Sequence, residues 1–164
     1  MSKRLTKALS LAADAHAEQR RKSDNSPYIG HLLEVQDLLV NVGEVLDEDI
    51  IIAGLLHDVI EDSAIDKLEL TYRFGSRVAC IVSSLTDNKT LSLAERRENT
   101  LKKLKSSPRS VKLVKLADIT SNASSIPAGW TTERLNDYFF WLDKVAAICR
   151  DASPELYKAY QSTR

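Results

Sequence analysis

The sequence predicts an all-α fold. Glycine and proline are scarce, five and four in 164 residues, which suits helices joined by short connections. Apolar residues recur at helical spacing along most of the chain. No run alternates convincingly as a strand does. Val111–Leu116 comes nearest, but its lysines at positions 112 and 115 fit a helix as well. A chain of this length makes one domain with a real core, taken here as residues 1–164.

The elements follow in order. Leu5, Ala8, Leu9, Ala12 and Ala13 predict a first helix over about 3–20. Residues 22–27, Lys-Ser-Asp-Asn-Ser-Pro, form a loop. Leu32, Val35, Leu38 and Leu39 share one face of a second helix, which Asn41 and Gly43 end. Asp47 caps a third, whose body Ile50–Leu56 is apolar nearly all round and belongs in the middle of the fold. A short helix ends near Phe74-Gly75, and others fit about 76–86 and 93–105. Ser92 and Glu95 give the latter a capping box. Pro108 starts the helix that carries Val111, Val114, Ala117 and Asp118. Leu135, Tyr138, Phe139, Leu142, Val145 and Ala146 mark the last long helix, and Ser153-Pro154 opens a terminal one.

About 43% of residues are hydrophobic and 28% charged, as in ordinary soluble proteins. The 23 basic and 23 acidic residues cancel, which argues against a duplex nucleic-acid binder but leaves room for a local basic cluster. No stretch reaches the ~20 apolar residues of a membrane span. The amphipathic N-terminus, interrupted by Asp14, His16 and Glu18, is no signal-peptide core, so the expected location is the cytoplasm. Cys80 and Cys149 lie far apart in apolar runs and read as buried thiols.

The segment 55–62, Leu-Leu-His-Asp-Val-Ile-Glu-Asp, sets four ionisable residues at the end of the apolar third helix. Charges buried there are costly without a partner, and a divalent cation is an economical one. Read as one continuous helix, the segment stacks His57 over Glu61 and Asp58 over Asp62. Only two other histidines exist, His16 and His31. His16, between alanines on a helix face, reads as structural. His31 follows the turn at Pro27–Gly30, and Asp118 stands on an apolar helix. Two imidazoles and two carboxylates suit Mn²⁺ or Fe²⁺, and Zn²⁺ would also fit, with positions left for water and substrate. The plainer alternative makes His57-Asp58 a helix-end decoration and Asp118 a surface residue.

These residues match a known pattern. Arg20-Arg21-Lys22, Pro27–His31, Leu55–Asp62, Phe74-Gly75, Leu85–Lys89, Val114–Asp118, Asn122, Gly129-Trp130 and Tyr138-Phe139 occur in one order over most of the chain. The chain resembles HD-domain phosphohydrolases, and within them the small alarmone hydrolases and the hydrolase domain of bifunctional alarmone synthetase/hydrolases. The resemblance implies a compact HD-type helical domain that cleaves the 3′-pyrophosphate of guanosine 3′,5′-bis-pyrophosphate. It implies Mn²⁺ on His31, His57, Asp58 and Asp118, with Glu61 and Asp62 as catalytic carboxylates. It puts Arg21, Lys22, Asn122 and Tyr138 near the nucleotide. Arg20 and Lys89 are further candidates for neutralising phosphates.

Ile119 departs from the pattern, which usually has a basic residue after the last metal aspartate. Residues 120–125 keep Asn122 but not its usual bulky and basic neighbours. Two other readings therefore stay open: hydrolysis of another ribose-phosphorylated nucleotide, such as NADPH or an adenine analogue, and a nucleotide-binding sensor without turnover. Oligomeric state is not legible in the sequence.

Overall fold

Residues 2–164 are described by a computed structural model. Among them are ten α-helices: α1 (Lys3–Ala15), α2 (Ile29–Asp37), α3 (Glu48–Leu56), α4 (Val59–Asp62), α5 (Lys67–Phe74), α6 (Ser76–Leu85), α7 (Leu93–Ser106), α8 (Arg109–Ala123), α9 (Thr132–Cys149) and α10 (Pro154–Gln161). The described residues contain no strand, only an isolated bridge between Arg20 and Pro27. The all-α expectation holds, and Val111–Leu116 is helical. Among the described residues, no helix is long and apolar enough to cross a membrane.

Two helices organise the interior. In α3, Ile50 and the five residues from Ile52 to Leu56 are buried. Asp47 caps its start, accepting from the Asp49 N–H, and Arg77 holds Asp47 in place. In α8, Val111, Leu113, Val114 and Leu116–Ser121 are all buried. Helices α1, α2, α6 and α8 pack around α3, while α2, α6, α9 and α10 pack around α8. Both helices therefore lie where a polar side chain has few partners except those the fold supplies.

The first helix is shorter than its apolar pattern predicts. It stops at Ala15, and His16 turns inward, almost fully buried. Its Nδ1 lies 2.6 Å from Gln19 Oε1, and that local bond replaces another helical turn. The chain then runs through a tight loop to Pro27, in which Asn25 takes the left-handed conformation that asparagine tolerates. Helix α2 starts at Ile29, two residues before His31, and passes directly into one π-helical stretch, Leu38–Val42.

Gly43 does end that stretch, but with φ of −81°; the left-handed residue is Glu44. Gly43 is small for another reason: a Cβ there would lie 2.9 Å from Leu156 Cδ1 of α10 and 3.0 Å from the Leu39 carbonyl oxygen. The continuous helix expected through 55–62 is broken. The chain leaves α3 at His57, Asp58 takes φ −100° and ψ −2°, and a single new turn, α4, carries Glu61 and Asp62. Cys149 is buried as expected, its thiol pushed up to about 11 by desolvation. Cys80 is exposed, because it lies on the face of α6 opposite Val78, Ile81 and Val82, which fill the core.

Gly54 lets α3 approach the π-helical stretch that follows α2, since an added Cβ would sit 2.6 Å from Leu39 Cδ1, itself fully buried. Gly54→Ala should overpack this contact and lower stability by about 1–3 kcal/mol, read from urea unfolding. A variant as stable as wild type would show that Leu39 repacks freely.

Candidate metal centre

The start of α2, the break after α3 and the buried part of α8 bring three predicted ligands together. Donor atoms of His31, His57 and Asp118 all lie within 4.8 Å of one another, and all three residues are buried. Asp118 Oδ1 is 3.3 Å from His31 Nε2 and 3.6 Å from His57 Nε2. Asp58 stands at the edge of this group. Its Oδ2 is 3.1 Å from His57 Nε2 and accepts the hydroxyl proton of Tyr28.

The remaining ring atoms fix which nitrogen faces inward. His57 Nδ1 lies 2.7 Å from the Gly54 carbonyl oxygen, which can only accept, so Nδ1 carries a proton. His31 Nδ1 lies 2.9 Å from Ser121 Oγ, whose own proton goes to Glu34 Oε2 at 2.6 Å. Both Nε2 atoms are buried without a hydrogen-bond partner. Two orphaned ring nitrogens aimed at a buried carboxylate are a donor set for a divalent cation. The residues fit the group, and the centre is a candidate divalent-metal site.

Electrostatics say the same. Burial alone would favour neutral His57, but Asp58 and Asp118 outweigh it and raise the imidazole well above the usual histidine range. Burial likewise favours protonated Asp118, yet Lys115 and the two imidazoles hold its carboxyl well below the usual range. Desolvation opposes ionisation of Asp58 too, and His57 overrides it and lowers that carboxyl. An environment that holds a proton on Nε2 this firmly would hold a metal cation there as well.

The other predicted residues divide into groups. Glu61 is half-buried and its Oε2 accepts the backbone N–H of Asp87 at 3.1 Å. Desolvation raises its carboxyl, and the charges of Asp58, Asp87 and Asp62 add to that. Asp62 accepts from Gln19 Nε2 at 3.0 Å and from Lys89. Glu61, Asp62 and Lys89 line an open cleft of about 560 Å³ with Asp14, Glu18 and Gln19. Asn122 donates to Asp118 Oδ1 at 2.7 Å, so it steadies a ligand from one turn away. Arg21 is bound to Glu34 at 2.6 Å. Arg20 donates to the carbonyls of Ala17 and Gln19, and Lys22 is exposed. Tyr138 packs edge-on against Trp130, 5.1 Å between centroids, and burial pushes its hydroxyl up to about 12. Ile119 is buried in the core.

Sequence reasoning missed several partners. Tyr28, Lys115 and Gln19 each sit within or next to a quoted motif, and their spacing from the ligands was the available signal. Lys115 precedes Asp118 by one helical turn and donates to its Oδ2 at 2.8 Å. Ser121 and Glu34 carried no signal, because their contacts join separate helices.

Metal binding here competes with protonation. The raised His57 stabilises the metal-free protein at pH below its unfolded value of about 6.5, and that stabilisation is lost as pH rises through the folded value. Ligation needs the proton gone. The thermal upshift given by a divalent ion should therefore grow as pH rises from about 6. His57→Ala or Asp118→Ala should abolish it. An upshift independent of pH would remove His57 from the ligand set.

The chain is similar to known proteins over most of its length. The family model described as "HD domain" matches residues 8–137. The guanosine-3′,5′-bis(diphosphate) 3′-pyrophosphohydrolase MESH1 of Danio rerio is 35% identical over 162 residues, 96% of this chain and 90% of that protein. The Homo sapiens protein of the same name is 34% identical, covering 94% of this chain and 89% of its own length. A solved structure titled "A metazoan ortholog of SpoT hydrolyzes ppGpp and plays a role in starvation responses" superposes with a TM-score of 0.93 at 33% identity. It covers 99% of this chain and 94% of its own. With the histidine–aspartate pair at the end of α3 and a match over most of its length, the chain belongs to the HD domain family.

Proposed function

We propose that this protein hydrolyses the 3′-pyrophosphate of guanosine 3′,5′-bis-pyrophosphate and its pentaphosphate analogue, giving GDP or GTP and pyrophosphate, with Mn²⁺ as its ion. The observation that carries the reading is the pair of buried Nε2 atoms without hydrogen-bond partners that face Asp118, with two carboxylates one turn beyond. Relatives named for this activity and similar over nearly their whole length support it.

A divalent ion on His31, His57, Asp118 and Asp58 would polarise a phosphoryl oxygen and make a bound water more acidic. The chain's own groups do the rest. Glu61, raised by burial, is suited to take the proton of the attacking water and pass it to the leaving oxygen. Asp62 is held by Gln19 and Lys89, so it serves better as a fixed charge that orients water than as a proton carrier. Lys89, Lys22 and Arg20 are the cations for the phosphates. Tyr138 and Trp130 offer stacking faces for a base, and the guanidinium of Arg134 lies 4.2 Å from the Trp130 centroid.

The test is pyrophosphate release by purified protein with Mn²⁺ and with chelator, run beside NADPH and adenine analogues. Release of pyrophosphate and GDP only with the ion is the expected result. Turnover confined to another nucleotide would reassign the substrate. No turnover at all, with metal bound, would favour a sensor.

Glu61→Gln should keep the metal and lower kcat by about 10²–10⁴-fold. In wild type, kcat should fall as pH drops through a value above the ordinary ~4.3 of glutamate, because protonated Glu61 cannot accept a proton. Wild-type kcat in Glu61→Gln would exclude Glu61 from the proton transfer.

A further inference from the structure

The bonds of Glu34, Ser121 and Arg21 join into one polar chain that runs from the basic loop to the back of the metal centre. Arg21 Nη1 donates to Glu34 Oε1 at 2.6 Å. Glu34 Oε2 accepts from Ser121 Oγ at 2.6 Å. Ser121 Oγ meets His31 Nδ1 at 2.9 Å. Three segments are joined this way: the loop before α2, the first turns of α2, and the buried part of α8. Ser121 is 2% exposed and His31 1%. The Arg21 side chain is only 9% exposed.

The protons in this chain can be counted. A carboxylate has only acceptors and a guanidinium only donors, so Glu34 takes one hydrogen from Arg21 and one from Ser121. Serine has a single hydroxyl proton. With that proton on Glu34, the serine oxygen can only accept from His31. The Nδ1 of His31 must then carry hydrogen, and in the neutral ring its Nε2 keeps a lone pair on the side of Asp118 and His57. The direction of every bond is set by Glu34, because it is the one member that cannot donate.

We propose that Glu34 and Ser121 are positioning residues that fix the tautomer and ring orientation of His31, and that they tie the Arg21 loop to that setting. The proposal rests on the metal reading of His31. Hydrogen bonds behind a ligating histidine ordinarily act this way, and their loss costs about 10–100-fold in metal affinity. The usual partner is a carboxylate or carbonyl in direct contact. Here the carboxylate acts through a serine, and its second oxygen binds an arginine. Arg21 is therefore a strut of the metal centre.

Two readouts test this without relying on turnover. The first is the ¹⁵N shift pattern of His31 in metal-free protein. Wild type should show the Nδ1–H form, and Ser121→Ala should shift His31 toward the other tautomer or a mixture. The second is Mn²⁺ affinity by calorimetry. Ser121→Ala and Glu34→Gln should bind Mn²⁺ about 10–100-fold more weakly. Glutamine at 34 can donate to the serine and so release the serine proton toward His31. Ser121→Thr keeps the hydroxyl and should restore both readouts. Arg21→Gln, one bond further out, should lose less. An unchanged tautomer in Ser121→Ala, with Mn²⁺ bound as tightly as by wild type, would overturn the relay. Wild type that binds no Mn²⁺ would overturn the metal reading instead, while the tautomer result still decides the relay.

Discussion

The structure depends on one compromise: polar ligands must be buried where two apolar helices meet. Asp118 lies on α8 among Leu116, Ala117, Ile119 and Thr120, all buried, and His57 ends a helix apolar on every side. An isolated carboxylate in such a place would be strongly destabilising. Each neighbour of Asp118 reduces that cost by a different route. Lys115 supplies charge from the preceding turn, Asn122 a hydrogen bond from the following turn, and the two imidazoles face it from α2 and the end of α3. The break between α3 and α4 belongs to the same compromise. It lets His57 face the centre while its Nδ1 stays bound to the Gly54 carbonyl, and it sets Glu61 and Asp62 toward the open cleft.

Much of this was legible because it breaks a pattern. Ionisable residues at the end of an all-apolar helix stand out from sequence alone, as does a lone aspartate in Val114–Asp118. Capping residues such as Asp47, Ser92 and Ser153 were equally readable, since their chemistry acts within one turn. Contacts between distant segments were not. Nothing local marks Glu34 as the partner of Arg21, so a basic triplet that looks free in sequence contains one residue already committed. Periodicity also overran the end of α1, because a helical pattern does not register that His16 finds Gln19 and turns inward. For Cys80, apolar neighbours were mistaken for burial, when an amphipathic helix has a second face.

A net charge of zero conceals a marked local arrangement. Several cations near the centre have partners: Lys115 with Asp118, Lys89 with Asp62, Arg21 with Glu34, and Arg97 with Asp137. These pairs do different work. The buried Lys115 offsets a buried anion, whereas the exposed Lys89 is a screened pair of small energetic weight that an incoming phosphate could replace. Glycine is used with similar economy of role. Gly43 and Gly54 have ordinary backbone angles and are there so that neighbouring helices can come close.

The all-round apolar surface of α3 also bears on how the protein is made. Of the helices that cover it, α1 and α2 precede it in the chain, but α6 and α8 follow. During synthesis α3 leaves the ribosome with part of its surface uncovered, and Ala123 at the end of α8 comes much later. At ~5–20 residues per second the nascent chain carries that sticky segment for on the order of several seconds. The feature that gives the finished protein a well-packed interior thus leaves the unfinished chain with an exposed apolar segment until α6 and α8 have been made.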